Sequence, residues 1–570
     1  MSNILLPLVG ALLAAPLAAQ NVRLPQQIDL GLTGPSVGPA MASDGDLSVA
    51  VWKDDVVDQM FASVSDGSGR TWTAPVRMDD AATGNKFAEV HALAIAGGVI
   101  HSSWRDERNS LADDVYYTRS TDGGLTWEAN QLLDKGYPIG GNDVRTWRMS
   151  ADASLVAALI SPEQPNLDED LYFTYSTMSG AAGTWTATAA ATTHNGLGDV
   201  DEIDLAVFGP CIAMAWQDNS TNGVDDQVYL SIYDVNLLAF VVQDLLISAN
   251  SAAAGGDSED NVAVSGSASG IAIAFQVDYP TANEELRVAL TDLAGTITLA
   301  DVKVGNYTTA ADVDNIEVLA RADGSTVVAW EDNRTVSAMD EIWTARSTGG
   351  AFTEGVSLGT GGFPRLTGAT GDYVGTTFSS GSFPENAGLS LSRDGGATFN
   401  PLVDASTGLT GDTDFTEFAY NALYGNFVCG WLSDDLGINH LYVGGARSAS
   451  LAANGPFTVG LPVNFSVSGF GAGESGDSFQ VVVSTGNGTP FALLPFGDGR
   501  SICLTDTPTV IASATSSLLA GTLSASGDGV TPIISFPNIF PVGTTLHAIA
   551  VSRAGTLFGS ITDTVPFTVE

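Results

Sequence analysis

Carboxylates recur in this chain at one place in a repeating pattern. The turns Gly198-Asp-Val-Asp-Glu, Gly256-Asp-Ser-Glu-Asp, Ala311-Asp-Val-Asp-Asn and Gly411-Asp-Thr-Asp each lie just ahead of a strand-like segment. Asn142-Asp143, and Asn85 with Glu89, fill weaker copies. Like charges packed this way repel unless a cation or a proton offsets them. Oxygen-only donors at this density suit Ca²⁺ better than a transition metal. The expected calcium ligands are Asp199, Asp201, Asp257, Asp312, Asp314, Asp412 and Asp414. Arg145, Arg148 and Arg365 fall near the same turns and would supply fixed positive charge. The wider ligand-binding set is then Asp143, Arg145, Asp201, Glu202, Glu259, Asp260, Asp314, Arg365 and Asp414. A pair of carboxylates doing acid and base work on a glycosidic bond is also open. Acids are too plentiful for type and spacing to single out a catalytic one.

These residues must be positioned by a repeat. Aromatics close a short apolar segment at Trp52, Trp104, Trp216, Phe275, Trp330, Phe378 and Trp431, with a weaker copy at Ile160. The steps are on the order of 50–60 residues, the length of a four-stranded propeller blade. Each unit has a first strand after a polar turn, a second ending on the aromatic, an acidic loop, and a third strand such as Asp114-Val-Tyr-Tyr-Thr-Arg. A short turn leads to a fourth. The expected fold is all-β: an eight-bladed propeller over residues 20–450, with seven as the competing count because the third unit is degenerate. The eighth unit lacks its own fourth strand, and Gln26-Gln-Ile-Asp-Leu-Gly-Leu-Thr-Gly resembles fourth strands elsewhere. Residues 22–31 are therefore expected to complete the last blade, removing an edge that would otherwise aggregate. First strands line a propeller's channel, so the acidic turns are expected to ring its mouth.

Composition narrows the partners. The chain has 570 residues and a formal net charge of −44, which disfavours nucleic acid and anionic membrane surfaces. Residues 1–19 form a Leu/Ala run ending in small residues and read as a secretory signal peptide. No later run is long enough for a membrane-spanning helix. The three cysteines, Cys211, Cys429 and Cys503, cannot form a complete disulfide framework. Cys211 and Cys429 sit in apolar strands and read as buried thiols.

Ser120-Thr-Asp122-Gly-Gly124-Leu-Thr-Trp127 falls between third and fourth strands, and Ser392-Arg-Asp394-Gly-Gly396-Ala-Thr-Phe399 repeats it. Asp66 to Trp72 holds a variant with altered spacing. These segments resemble the Asp-boxes (BNR repeats) of the sialidase-like propeller superfamily. The resemblance implies a structural role for them, on the face away from any active site. It also implies, for an active member, an Arg triad, a Tyr–Glu nucleophile and an acid/base Asp. Arg23-Leu-Pro25 matches the family's marker motif, but the repeat register puts it on the outer closing strand. Trp104-Arg-Asp-Glu-Arg108 and Trp330-Glu-Asp-Asn-Arg334 resemble a Trp-x-Asp-x-Arg repeat of secreted bacterial propellers, with Asp pairing Arg or capping the hairpin.

The blade pattern stops near Ser448. Residues 451–570 alternate as in a small β-sandwich and resemble C-terminal modules of secreted planctomycete-type proteins. The expected molecule is a secreted or cell-surface monomer. It would bind an extracellular glycan, peptide or cation-bridged surface partner on its acidic channel face, with Ca²⁺ as the one implied cofactor. The alternative is a sialidase-like exo-glycoside hydrolase.

Overall fold

The computed structural model describes residues 21–570, except the segments 81–85, 109–112, 134–142, 164–168, 196–199, 220–225, 254–260, 280–282, 306–311, 335–339, 369–372, 422–425, 471–475, 493–500 and 505–512, and isolated positions elsewhere. The segment read as a signal peptide lies outside the described residues.

The chain is almost wholly β and forms a propeller-type array of four-stranded antiparallel sheets. The first strands of successive units are Ser36–Asp44, Lys86–Ala96, Val144–Asp152, Val200–Phe208, Val262–Ser267, Val313–Ala320, Gly359–Gly368 and Thr413–Asn421. Each packs beside the next, and Thr413–Asn421 packs against Ser36–Asp44. The sixth and seventh units are hydrogen-bonded into one larger sheet through Glu341↔Thr360 and Ile342↔Gly359.

Second strands are buried on both faces because each sheet is covered by its neighbours. Leu155–Pro162 and Cys211–Asp218 are buried along their whole length, so they read as continuous apolar runs. The repeated aromatics are fully buried between sheets. The third unit is degenerate for a visible reason. Its large ring, Trp147, sits on the first strand directly opposite Ile160 and fills the same interlayer space. Cys211 and Cys429 are free and buried, while the side chain of Cys503 lies outside the described residues.

The strand Asn21–Gln27 pairs antiparallel with His440–Arg447 at the outer edge of the last sheet. Just beyond it, Ile28 donates its N–H to the Leu441 carbonyl at 3.0 Å. The buried Asp29 carboxylate accepts from Ser36 Oγ at 2.6 Å and Leu441 N at 3.0 Å. Ile28, Met41 and Trp52 form one apolar cluster with Val428, Leu441 and Val443. Chain segments some 400 residues apart are thus joined by burial and by main-chain pairing.

Beyond residue 450 two further sheets, one built on Pro462–Ser468 and the other on Ser478–Ser484 with Thr545–Ala554, enclose a Phe-rich core. Among the described residues no helix is long and apolar enough to cross a membrane.

Candidate functional site

The aromatic at the end of each second strand, Ile160 in the third unit, gives a common register for comparing the first strands. The residue just before that aromatic is paired with Ala40, Ala92, Arg148, Asp204, Ala263, Glu317, Arg365 and Glu417 in the eight units. All eight line a single cavity of about 580 Å³, with Glu202, Asn261, Asn315 and Phe415 at its rim. Of these eight, three are alanines that leave room and five are charged. β-Bulges shift the register at the start of seven of the eight first strands. Such bulges re-aim side chains next to functional sites.

The charges are paired across sheets. Arg365 donates from Nη1 to Glu317 Oε1 at 3.1 Å and from Nε to Glu417 Oε1 at 3.2 Å. Its partners belong to the units on either side. Protein surrounds this cluster, yet water still reaches 41% of the Arg365 side chain, so its ion pairs are those of a hydrated cavity. The Glu417 carboxylate, then that of Glu317, holds the Arg365 guanidinium above its ordinary pKa. Burial pushes the Glu317 carboxyl up to about 7; Arg365 opposes this, and the negative charges of Asp204 and Glu417 add to it. Burial also raises Asp204 and Glu417. Across the ring, Arg148 lies 3.9 Å from both Glu202 and Asp204, and donates to the Trp147 carbonyl at 3.1 Å. Asp204 in turn accepts the Val264 N–H at 2.7 Å, which ties the fourth sheet to the fifth.

Of the residues expected at the channel mouth, Glu202 and Arg365 line the cavity, and so does Arg148. Arg145 does not. Its Nε is held by Glu163 at 3.2 Å and Glu169 at 3.0 Å, on its own sheet's outer loop. The three arginines therefore do not converge, and no tyrosine lines the cavity among the described residues. The described residues of the acidic turns have partners of their own. Asp143 accepts the Asp113 N–H of the preceding sheet at 3.1 Å, and Asp412 accepts the Glu385 N–H of the preceding sheet at 2.7 Å. Asp312 accepts from Asn333 Nδ2 at 3.2 Å. Asp414 is raised by burial and by the charges of Asp412 and Asp434, and Asp314 lies near Glu331. Neither of these, nor Asp201, lines the cavity. The physical reason is local. Turn carboxylates take the nearest loop donors, whether backbone N–H groups of the preceding unit or a side-chain amide of their own. Asp199, Asp257, Glu259, Asp260, Asn85 and Asn142 lie outside the described residues, as do the side chains of Glu89 and Arg23. Among the described residues, no three His, Cys, Asp or Glu side chains are grouped to hold a metal ion.

The Asp-box-like turns lie at the other end of the sheets, where third strands hand over to fourth. Asp122 accepts from Thr126 N at 2.9 Å and Thr126 Oγ1 at 2.6 Å, while Ser120 Oγ accepts from Gly124 N at 2.8 Å. Ser392, Asp394, Gly396 and Thr398 repeat this set, with Phe399 half-buried after it. Trp127 packs against the interlayer cluster of the first two sheets. In the variant box, Trp72 Nε1 donates to the Gly69 carbonyl at 3.3 Å, and the side chain of Asp66 lies outside the described residues. In the Trp-x-Asp-x-Arg segments, Asp106 accepts from Trp104 Nε1 and from Arg108, and Asp332 from Trp330 Nε1 and Arg334. Arg108 lies over the Tyr116 ring at 4.0 Å, and Arg334 over Trp343 at 4.3 Å.

Asp204, Glu317 and Glu417 were not among the residues singled out from sequence. A usable signal exists: the ring residue precedes the aromatic by 12 positions in the first five units, 13 in the next two and 14 in the last.

No family model matches the chain, and no curated protein matches it. Solved structures with some likeness include a PL25 ulvan lyase bound to a GlcA–Rha3S unit (TM-score 0.40, 10% identity, 73% of this chain and 95% of that one). A GH93 α-L-arabinofuranosidase of Fusarium graminearum gives 0.37 and 13%, over 68% of this chain and 98% of that one. Trypanosoma rangeli sialidase gives 0.35 and 9%, over 87% and 85%.

Proposed function

We propose that the sheets form a closed eight-bladed β-propeller, completed by its N-terminal strand and exported from the cell, whose channel cavity binds a hydroxyl-rich ligand of glycan type. The ring of lumen residues carries this reading. Glu317, Arg365 and Glu417 are locked to one another from three successive units, so their remaining donor and acceptor positions are fixed before a ligand arrives. Sugar hydroxyls both donate and accept, and so match a wall on which guanidinium and carboxylate alternate. Ala40, Ala92 and Ala263 leave the space such a ligand needs.

One observation favours a second reading, hydrolysis of a glycoside. Glu317, with its carboxyl near 7, sits in the field of Asp204 and Glu417. A carboxyl that holds its proton near neutrality and has further carboxyls beside it suits the acid role in glycoside hydrolysis. Glu317 would protonate the leaving oxygen, and a neighbouring carboxylate would act on the opposite side of the sugar.

A glycan array with the purified protein, followed by a fluorogenic glycoside panel, separates the two. Binding without turnover supports the first reading. Turnover that Glu317→Gln lowers about a hundredfold or more establishes the second. No binding to any glycan overturns both. Calcium at the acidic turns is a separate expectation: calorimetric titration giving no heat, and melts unchanged by EGTA, would remove it.

A further inference from the structure

The exposed aromatic side chains among the described residues are Phe363, Phe383 and Phe415, at 54%, 81% and 57% exposure. All three belong to the seventh and eighth sheets, on the face where first strands begin. Phe415 lines the cavity itself. Phe383 is bracketed there by two hydrogen bonds. Gly381 N donates to the Thr360 carbonyl at 2.9 Å, and Glu385 N to Asp412 Oδ1 at 2.7 Å.

Two of these rings occupy a costly backbone position. Phe363 and Phe415 have φ of +56° and +50°, two residues before Arg365 and Glu417 respectively. The same position, two residues before the ring residue, is left-handed in three other sheets, where it holds Gly38, Asn261 and Asn315 at φ +53°, +62° and +46°. Gly and Asn tolerate that conformation; a bulky aromatic there is an outlier. Backbone strain of this kind clusters at ligand sites. The Phe side chains are not repaid by burial, because water reaches more than half of each.

We infer that the ligand is an oligosaccharide rather than a single sugar. It would be held at its inner end by Arg365, Glu317 and Glu417 and along its outer part by the faces of Phe363, Phe383 and Phe415. The inference rests on the glycan reading above and specifies the ligand's length and its exit over the seventh and eighth sheets. An aromatic face takes the C–H face of a sugar ring, while the ring's hydroxyls remain free to reach polar groups. Left-handed backbone two residues ahead of Arg365 and Glu417 sets Phe363 and Phe415 apart from the regular strand that carries those charges, with Phe415 in the cavity wall.

The test compares the tightest oligosaccharide on a glycan array with its own terminal monosaccharide, by calorimetry. The proteins are the wild type, Phe363→Asn, Phe415→Asn and Phe383→Ser. Asn is the residue this chain already uses at the equivalent left-handed positions, Asn261 and Asn315, so the first two variants keep the backbone. The oligosaccharide should bind the wild type at least tenfold more tightly than the monosaccharide, and each variant should shrink that ratio severalfold. Melting temperatures of the Asn variants should stay level or rise. Equal affinity for both ligands in the wild type, or an unchanged ratio in the Phe363→Asn, Phe415→Asn double variant, overturns the inference and leaves the glycan reading standing. If the wild type binds neither ligand, the glycan reading itself falls.

Discussion

Glu317→Gln should stabilise the protein at pH 8 and leave it nearly unchanged at pH 4.5. Glutamine has the shape and neutrality of the protonated carboxyl. In the folded protein that carboxyl is pushed from 4.5 to about 7, first by burial and then by Asp204 and Glu417, against Arg365. The folded state therefore holds this proton more tightly than the unfolded chain. Its stabilising contribution is complete below about pH 4.5 and is lost as pH rises through about 7. A shift of that size places roughly 3 kcal/mol on the ionised form. Water in the cavity screens part of it, leaving about 1–2 kcal/mol. Urea denaturation of wild type and variant at both pH values measures the difference. Glu284 and Glu331, raised to about 8 and about 7, titrate in both proteins and cancel. A variant that is destabilised at pH 8, or shifted equally at both pH values, would show that Arg365 outweighs burial at this site and refute the reasoning.

Three further outcomes are expected. Gly124→Ala should cost about 1–3 kcal/mol, because its φ is +82° and a Cβ would lie 2.3 Å from Val64 Cγ2; Gly183→Ala, at φ +76° with open space around it, should cost less, and equal urea midpoints would remove the steric argument. Trp147→Ala should cost about 3–5 kcal/mol, like Trp216→Ala, since Trp147 fills the third unit's interlayer space; a loss under about 1 kcal/mol would deny it that role. Deleting Asn21–Gln27 leaves His440–Arg447 as an open edge and should produce concentration-dependent association by light scattering; a monomer with an unchanged melt would deny the closing role.

Much of the scaffold was readable from residue order. The recurring Trp and Phe are large enough to require burial between layers, and their spacing marks one sheet each. Ser120, Asp122 and Gly124 act within one turn, so their hydrogen bonds follow from local sequence. The acidic turns were less legible, because a turn carboxylate takes the donors nearest to it: Asp143 and Asp412 accept N–H groups of the preceding unit, and Asp312 the Asn333 side-chain amide of its own unit.

By itself, then, the sequence determined the all-β repeat, the period of its sheets and the strand that pairs with the last of them. These depend on interactions within a unit, or on one strand's likeness to another. Only the tertiary structure decided which charges meet. Glu317, Arg365 and Glu417 are separated by 48 and 52 residues, one repeat unit apiece, and touch only because successive units pack side by side. Bulges at the start of the strands choose which residues turn inward. Burial, which no single segment supplies, then moves Glu317 to neutrality and makes this cavity the place to look for chemistry.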